Sequence, residues 1–268
     1  MNNYLSLYGL KTAPFNITAD PNFFYQSSTH REVLSTLNFG VVQKKGLMAV
    51  IGEVGTGKTT LCKVFLDHLS KDIKSSVIFS SPQFSQTQLL KTILADFGLE
   101  PARLNRFDLV KKLNSFLVDT SFSGKNALLV IDEAQNLTSK QLEQVRLLSN
   151  LETSQEKLLQ ILLVGQPELE DKLNEFKLRQ IKQRINIKCR LLPLRKEEIK
   201  NYIEYRLNTA KAQDVAIEPE CYQVIYQFSK GIPRLINLLC ERVLLLGFVQ
   251  GKNKVTPSML KVCIKELQ

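Results

Sequence analysis

Short apolar runs alternate with amphipathic stretches through the first part of the chain. The apolar runs have the length of buried strands and lie at residues 47–51, 77–79, 128–131, 159–164 and 185–191. Between them, apolar residues recur at helical spacing and predict helices over residues 59–69, 86–97, 107–118 and 139–151. Apolar strands that alternate with helices are typical of a parallel sheet covered by helices on both faces.

The pattern changes beyond residue 195, where only helical spacing is found. Helices are predicted over residues 196–210, 220–229, 233–249 and 257–267. Pro233 and Pro257 stand at two of these helix starts, where a missing backbone N–H costs little. We therefore predict an α/β fold with two domains. The first, residues 1–194, holds a five-stranded parallel sheet and includes the N-terminal segment, and the second, residues 195–268, is smaller and all-helical.

The composition is that of a globular protein with an excess of positive charge. Of 268 residues, 44% are hydrophobic, and 36 Lys and Arg against 26 Asp and Glu leave a formal net charge of +10. The excess fits contact with nucleic acid or an acidic membrane surface, and equally a solvated surface with a phosphate site. No run reaches the ~18–20 apolar residues of a membrane-spanning helix, and the N-terminus does not resemble a secretory signal. The five cysteines form no C-x-x-C pair, so we expect a cytoplasmic protein with reduced thiols.

A glycine loop lies between the first predicted strand and the first predicted helix. It fits G-x-x-x-x-G-K-[ST] in full, and its residues are Gly52, Glu53, Val54, Gly55, Thr56, Gly57, Lys58 and Thr59, followed by Thr60. In such a loop, backbone N–H groups and the helix N-terminus surround phosphate oxygens. Lys58 is then expected to reach the β- and γ-phosphates of a nucleotide, and Thr59 is expected to hold Mg²⁺.

Polar side chains follow two of the later strands. Asp132 and Glu133 end the third strand; Asp132 would hold Mg²⁺, directly or through water, and Glu133 would act as general base on the attacking water. Gln166 follows the fourth strand, which a parallel sheet would place beside the acids. It is either an ordinary turn residue or a group that holds the water or the γ-phosphate. A carboxylate placed to activate water favours hydrolysis over nucleotide binding alone.

Two basic features are further candidates for parts of the functional site. The basic segment, residues 177–190, contains six cations and no acid, and Arg179 and Arg184 are among them. It is a solvated helix edge, a contact with nucleic acid, or the source of an arginine finger that reaches the γ-phosphate of a neighbouring subunit. Arg234 lies at the first turn of a predicted helix, where the helix dipole disfavours a cation. It therefore either faces an anion or lies on the surface.

Together these motifs resemble those of the AAA+ ATPases. The glycine loop matches Walker A, Asp132 and Glu133 end a Walker B strand, and Gln166 is similar to sensor 1. The run Gly-Ile-Pro-Arg that ends at Arg234 is similar to sensor 2. Within this superfamily the chain is similar to the ExeA/GspA-type ATPases of bacterial general secretion and pilus biogenesis. That similarity rests on residues 8–21, 52–60, 132–135, 165–169 and 231–237.

The resemblance implies a ring or filament that hydrolyses ATP with Mg²⁺ at sites shared between subunits. Residues 1–194 would be the ATPase base and residues 195–268 the helical lid. Arg234 would contribute to catalysis, and Arg184 is the better match to the arginine finger, with Arg179 as the alternative. The implied function is that of an assembly ATPase whose partner is a protein of a secretion or pilus machine. Transposition regulators of the TnsC and TniB kind are near relatives, so an ATP-dependent regulator that binds duplex DNA is the alternative function.

Overall fold

The protein is built from α-helices and two parallel sheets, in a computed structural model that describes residues 4–82, 84–101 and 103–267. The strands are β1 (Leu47–Gly52), β2 (Ile73–Phe79), β3 (Asn126–Asp132), β4 (Gln160–Gly165), β5 (Ile185–Leu191), β6 (Ala216–Ile217) and β7 (Lys254–Val255). The α-helices are α1 (Tyr4–Leu7), α2 (Ser28–Val42), α3 (Lys58–Asp67), α4 (Gln86–Asp96), α5 (Arg106–Phe122), α6 (Ser139–Leu148), α7 (Pro167–Asn174), α8 (Arg179–Lys182), α9 (Glu198–Thr209), α10 (Pro219–Ser229), α11 (Pro233–Val249) and α12 (Pro257–Leu267). Within the described ranges, no helix is both long enough and apolar enough to cross a membrane.

The chain forms two compact units. The sheet unit comprises residues 30–52 and 62–191, and the helical unit comprises residues 4–29, 53–61 and 192–267. The helical unit is therefore assembled from three stretches of chain that are far apart in sequence. One of these stretches, residues 53–61, contains most of the glycine loop.

The five strands of the sheet unit are parallel and follow the order β2-β3-β4-β1-β5. The central strands β1 and β4 are buried at every position, whereas burial alternates along the edge strand β5. In the register of the sheet, Ile131 lies opposite Leu163, and Ile51 lies opposite Gly165. The carboxyl ends of β3, β4 and β1 therefore meet at one edge of the sheet.

The interior of the sheet unit is aliphatic, and helices α4, α5 and α6 begin at side-chain caps. Leu129 on β3 and Ile161 on β4 have no exposed surface and pack in one continuous cluster with side chains of α4, α5 and α6. At the start of α6, the Thr138 hydroxyl accepts from Gln141 N, and the Gln141 side chain accepts from Thr138 N. This reciprocal cap fixes where the chain enters α6 after it leaves β3.

In the helical unit, the N-terminal segment (residues 4–27) packs on α9 to α12. The buried Tyr8 hydroxyl donates to Leu244 O at 2.8 Å. The buried guanidinium of Arg206 on α9 donates from Nε to Pro14 O at 2.5 Å and from Nη2 to Asn16 O at 3.2 Å. The segment is thus held by polar groups that bond to its backbone, as well as by apolar contacts.

The predicted fold class is confirmed. All five predicted strands of the parallel sheet are present, but the sequence did not predict α1, α2, α7 or the short parallel pair β6 and β7. The sequence also placed the N-terminal segment with residues up to 194, whereas residues 4–29 pack in the helical unit. The division into an ATPase base and a lid stays a prediction.

The five cysteines are free thiols, as expected, and four of them are buried. Burial raises the pKa of Cys221 to about 11, because the thiolate would lose its hydration, and a nearby Glu218 acts in the same direction. These thiols therefore behave as small apolar side chains rather than as nucleophiles.

Candidate functional site

The glycine loop closes on a single carbonyl oxygen. Glu53 O accepts hydrogen bonds from Thr56 N at 3.3 Å, from Thr56 Oγ1 at 2.8 Å and from Lys58 Nζ at 2.9 Å. Gly55 and Gly57 have φ angles of 80° and 95°, a left-handed backbone that glycine adopts without steric cost. Because α3 begins directly at Lys58, the loop and the helix N-terminus have the arrangement that binds anions in other proteins.

The same loop packs on the start of α11 within the helical unit. Gly55 O accepts a hydrogen bond from Arg234 N at 3.2 Å. A Cβ atom at Gly55 would lie 2.6 Å from Arg234 Cβ and 3.1 Å from Ile232 Cγ2, so a side chain at Gly55 would force the loop and α11 apart. The Arg234 side chain itself is exposed. The backbone of the residue that resembles sensor 2 is therefore in direct contact with the loop.

The acidic turn (residues 132–137) follows β3 in the sheet unit. Asp132 is buried, and its Oδ1 accepts from Glu133 N at 2.8 Å. Glu133 has a φ of 53°, a left-handed conformation that costs a non-glycine residue about 1 kcal/mol. Ser80 holds this conformation in place, since its N donates to Asp132 O at 3.1 Å and its Oγ donates to Glu133 O at 2.5 Å.

The Glu133 carboxylate is bonded to two glutamine amides. Gln135 Nε2 at 2.5 Å and Gln166 Nε2 at 3.1 Å both donate to Glu133 Oε2. Gln166 N in turn donates to Gln135 Oε1 at 3.1 Å. Lys172 on α7 donates to Gln135 O at 2.5 Å and to Leu137 O at 2.9 Å. Side-chain hydrogen bonds therefore tie the acidic turn to the residues that follow β4.

Three of the six cations of the basic segment pair with two nearby acids. Lys177 pairs with Glu175 at 2.7 Å, and Lys188 and Arg190 both pair with Glu170. The hydrogen bonds from Lys188 and then Arg190 hold the pKa of the Glu170 carboxyl below its ordinary value, and burial opposes them only in part. The surface here is consequently less positive than the sequence suggests.

The two candidate arginine fingers lie at the protein surface. Arg179 begins α8 and stacks on Phe176 at 4.4 Å from the ring centroid, and Arg184 is exposed just before β5. Within the described residues, neither arginine is bonded to Glu133 or Gln166. Phe176 is 78% exposed. Phe176 precedes the basic segment by one position.

Glu133 and Gln166 were predicted as site residues, whereas three residues that hold the acidic turn, Gln135, Ser80 and Lys172, were not. Gln135 follows Glu133 by two residues in the run Asp-Glu-Ala-Gln, and this spacing could have indicated that the two side chains lie close together. Ser80 and Lys172 reach the acidic turn only through the fold, and the periodicity of their own segments carries no trace of that contact.

Part of the chain matches a known protein family. The family model of the AAA domain matches residues 42–173. Over 98% of its length, the chain is 37% identical to general secretion pathway protein A of Aeromonas hydrophila. The chain covers 48% of that protein, and thus spans about half the length of the curated relative that it matches.

Solved structures share the fold at low sequence identity. The ORC2 protein of Aeropyrum pernix has a TM-score of 0.69 at 15% identity, over 96% of this chain and 72% of that chain. Cdc6p of Pyrobaculum aerophilum has a TM-score of 0.70 at 17% identity, over 92% and 71%. The RuvB branch migration motor of Thermotoga maritima has a TM-score of 0.58 at 19% identity, over 89% and 68%. The chain thus contains an AAA domain at residues 42–173, and along nearly all of its length it is similar to general secretion pathway protein A.

Proposed function

We propose that this protein hydrolyses ATP and acts as a secretion-associated ATPase. The observation that carries the proposal is the Glu133 carboxylate at the carboxyl edge of the sheet, where the Gln166 amide bonds to it at 3.1 Å. Strand β4, which leads to Gln166, pairs with β1, and β1 leads directly into the glycine loop. A carboxylate, an amide and a phosphate-binding loop that follow neighbouring strands are the parts required for phosphoryl transfer to water.

The residues of the glycine loop would bind the triphosphate. Backbone N–H groups of Glu53 to Thr60 would donate to phosphate oxygens, and Lys58 Nζ would exchange the Glu53 carbonyl for the β- and γ-phosphates. The family motifs assign Mg²⁺ to Thr59 and Asp132, and a hydroxyl and a carboxylate are the oxygen ligands that Mg²⁺ prefers. When bound, Mg²⁺ would neutralise charge on the phosphate oxygens.

Glu133 would remove the proton from the attacking water, and Gln166 would orient that carboxylate. Positioning and charge neutralisation would supply most of the rate enhancement. Arg234 would act on the phosphates from the start of α11, because its backbone already contacts the loop at Gly55.

Two substitutions test this proposal directly in the full chain. Lys58→Ala should weaken ATP affinity at least about tenfold, because a cation is lost from the phosphate site. Glu133→Gln should bind ATP within about threefold of wild type and lose at least about a hundredfold in turnover, since it removes the general base. ATP binding is measured by calorimetry and turnover by phosphate release, with the exposed Lys71→Ala and Glu168→Gln as controls.

Near-normal turnover in Glu133→Gln would remove this residue from the role of base. Unchanged affinity in Lys58→Ala would show that the loop does not bind the triphosphate. Either result, with the controls behaving as wild type, contradicts the proposal.

We further propose that the active form is a ring or filament, with Arg184, or else Arg179, reaching the nucleotide of a neighbouring subunit. Both side chains are at the surface, and neither is bonded to Glu133 within its own chain. The basic segment gives limited support to duplex DNA as partner, because Lys177, Lys188 and Arg190 are paired with acids. The similarity to general secretion pathway protein A favours a protein partner from a secretion machine.

A further inference from the structure

We propose that Gln135 is a positioning residue for Glu133, and that it selects which carboxylate oxygen takes the proton from water. The inference rests on the proposed function, in which Glu133 is the general base. It concerns a residue two positions further along the acidic turn, whose side chain lies between Glu133 and the residue that follows β4.

The orientation of the Gln135 amide follows from its partners. Gln166 N is a backbone N–H and acts only as a donor, so the Gln135 atom 3.1 Å from it is the carbonyl oxygen Oε1. The NH₂ end of the same amide must then point to Glu133, where Nε2 lies 2.5 Å from Oε2. The amide therefore works as a fixed donor, because a flipped amide would lose both hydrogen bonds.

The surroundings leave the Gln135 side chain little freedom. A Cβ atom at Gly165 would lie 3.0 Å from Gln135 Oε1 and 2.8 Å from Leu169 Cδ2, so a glycine there makes room for the amide. The backbone of Gln135 is held as well, since Lys172 Nζ donates to its carbonyl at 2.5 Å. Such locked donors position a catalytic group better than mobile ones.

Both amide donors converge on one carboxylate oxygen. Gln135 and Gln166 bond to Oε2 of Glu133, and among the described residues no donor bonds to Oε1. Oε1 is thus the oxygen left to accept a proton. In the reaction, the proton of water would pass to Oε1, the water oxygen would bond to the γ-phosphorus, and the bond from that phosphorus to the bridging oxygen of ADP would break.

The arrangement also gives Gln135 a specific signature. Among the described residues, its side chain bonds to Glu133 and to the backbone of Gln166, so its loss should leave nucleotide affinity alone and change only the chemical step. A residue that merely supported the fold would instead alter stability, and a residue that bound ATP would alter KM.

The test uses Gln135→Met, which keeps the length of the side chain and removes its hydrogen bonds, and Gln135→Ala as a second variant in case the first does not fold. Asn136→Ala is the matched control, because Asn136 is the exposed next residue of the same turn. For each variant, kcat and KM for ATP, affinity for a non-hydrolysable ATP analogue and thermal unfolding are measured. The same Gln135→Met change is also made in a Glu133→Gln background.

We expect kcat to fall about tenfold to a hundredfold in both Gln135 variants, with KM and analogue affinity within about twofold of wild type. Asn136→Ala should match wild type in every measurement. In the Glu133→Gln background, Gln135→Met should change the residual turnover by less than about twofold, because Gln135 acts only through Glu133.

A wild-type kcat in the folded Gln135 variants would overturn the inference, and so would a rise in KM without a fall in kcat. A further tenfold loss in the Glu133→Gln background would also overturn it, since Gln135 would then act independently of Glu133. These results differ from failure of the proposed function, which shows as normal turnover in Glu133→Gln alone.

Discussion

The sheet unit and the helical unit each have an apolar core, and they differ in the buried polar groups that accompany it. In the sheet unit, β1 and β4 are buried at every position, and one aliphatic cluster joins the strands to the flanking helices. In the helical unit, buried polar groups connect distant parts of the chain. Tyr8 bonds to Leu244 O, Tyr202 bonds to Asn237 Oδ1 at 2.7 Å, and Arg206 bonds to backbone carbonyls of the N-terminal segment.

The difference teaches where specificity of packing comes from in each unit. Apolar contacts are not directional, so the sheet unit depends on filling its volume. A guanidinium can donate to two backbone carbonyls at once only when the segment that carries them has one particular conformation. We therefore expect volume changes to matter most in the first unit, and the loss of single hydrogen-bonding groups to matter most in the second.

The largest effect is expected from Leu129→Ala at the centre of the sheet. The side chain has no exposed surface, and its truncation leaves a cavity that should lower the free energy of unfolding by about 3–4 kcal/mol. Urea unfolding followed by circular dichroism measures this change. Phe122→Ala, at an 88% exposed position, is the control and should stay within about 0.5 kcal/mol of wild type. A loss below 1 kcal/mol in Leu129→Ala would mean that the sheet unit does not depend on filled volume.

A smaller and more local effect is expected from Arg206→Met. The apolar part of the side chain is kept, but Pro14 O and Asn16 O lose their donor, which should cost about 2 kcal/mol. Hydrogen exchange should accelerate in the N-terminal segment and stay unchanged in β1 and β4. Lys200→Met on the same helix, at an exposed position, serves as control. Uniform acceleration across both units would contradict the local role of Arg206.

The smallest effect is expected from Glu198→Gln, and it should depend on pH. Glu198 Oε1 accepts from Ser28 N at 3.0 Å, and Oε2 accepts from Arg195 N at 3.0 Å. Burial alone would raise the pKa of Glu198, but these hydrogen bonds outweigh it and bring the pKa below the ordinary value of 4.5. Since the folded-state pKa is lowered, the ionised group stabilises the fold above that ordinary value, and the stabilisation is lost as the pH falls through the folded-state pKa.

At pH 7 the difference in free energy of unfolding between wild type and Glu198→Gln should be about 1 kcal/mol, because the group is partly exposed. The difference should shrink towards zero in unfolding measured at pH below about 4. Glu197→Gln, at the exposed neighbouring position, should show no such trend. A difference that stays constant from pH 7 to pH 3 would assign the stabilisation to packing instead of charge.

In both units the sequence predicted the elements whose burial leaves a periodic pattern. These are the five strands and helices α3 to α6 in and beside the sheet, and helices α9 to α12. Strand β2 was predicted only over residues 77–79, because Lys74 and Ser75 in its first half are exposed and polar. Helix α2 was missed because its inner face relies on Gly40, where a Cβ would meet Met48 and Ile187.

The positions of the motif residues could be predicted from the sequence, whereas the attachment of the N-terminal segment could not. The motif residues stand at the strand ends that the pattern predicted, since a parallel sheet gathers its carboxyl ends at one edge. The attachment of the N-terminal segment was not predictable in this way. It depends in part on a buried arginine on α9, Arg206, and one Arg in an amphipathic helix looks like any solvated cation until its neighbours are known.

The contact between Gly55 and Arg234 limits which segments of this chain can be replaced by those of a related protein. The loop that is proposed to bind phosphate packs with the C-terminal helices, and its glycine has no space for a Cβ beside α11. A chimera that takes residues 192–267 from another family member must therefore also match the loop of the recipient. Gly55 and residues 232–234 thus pack as one unit, although they lie far apart in the sequence.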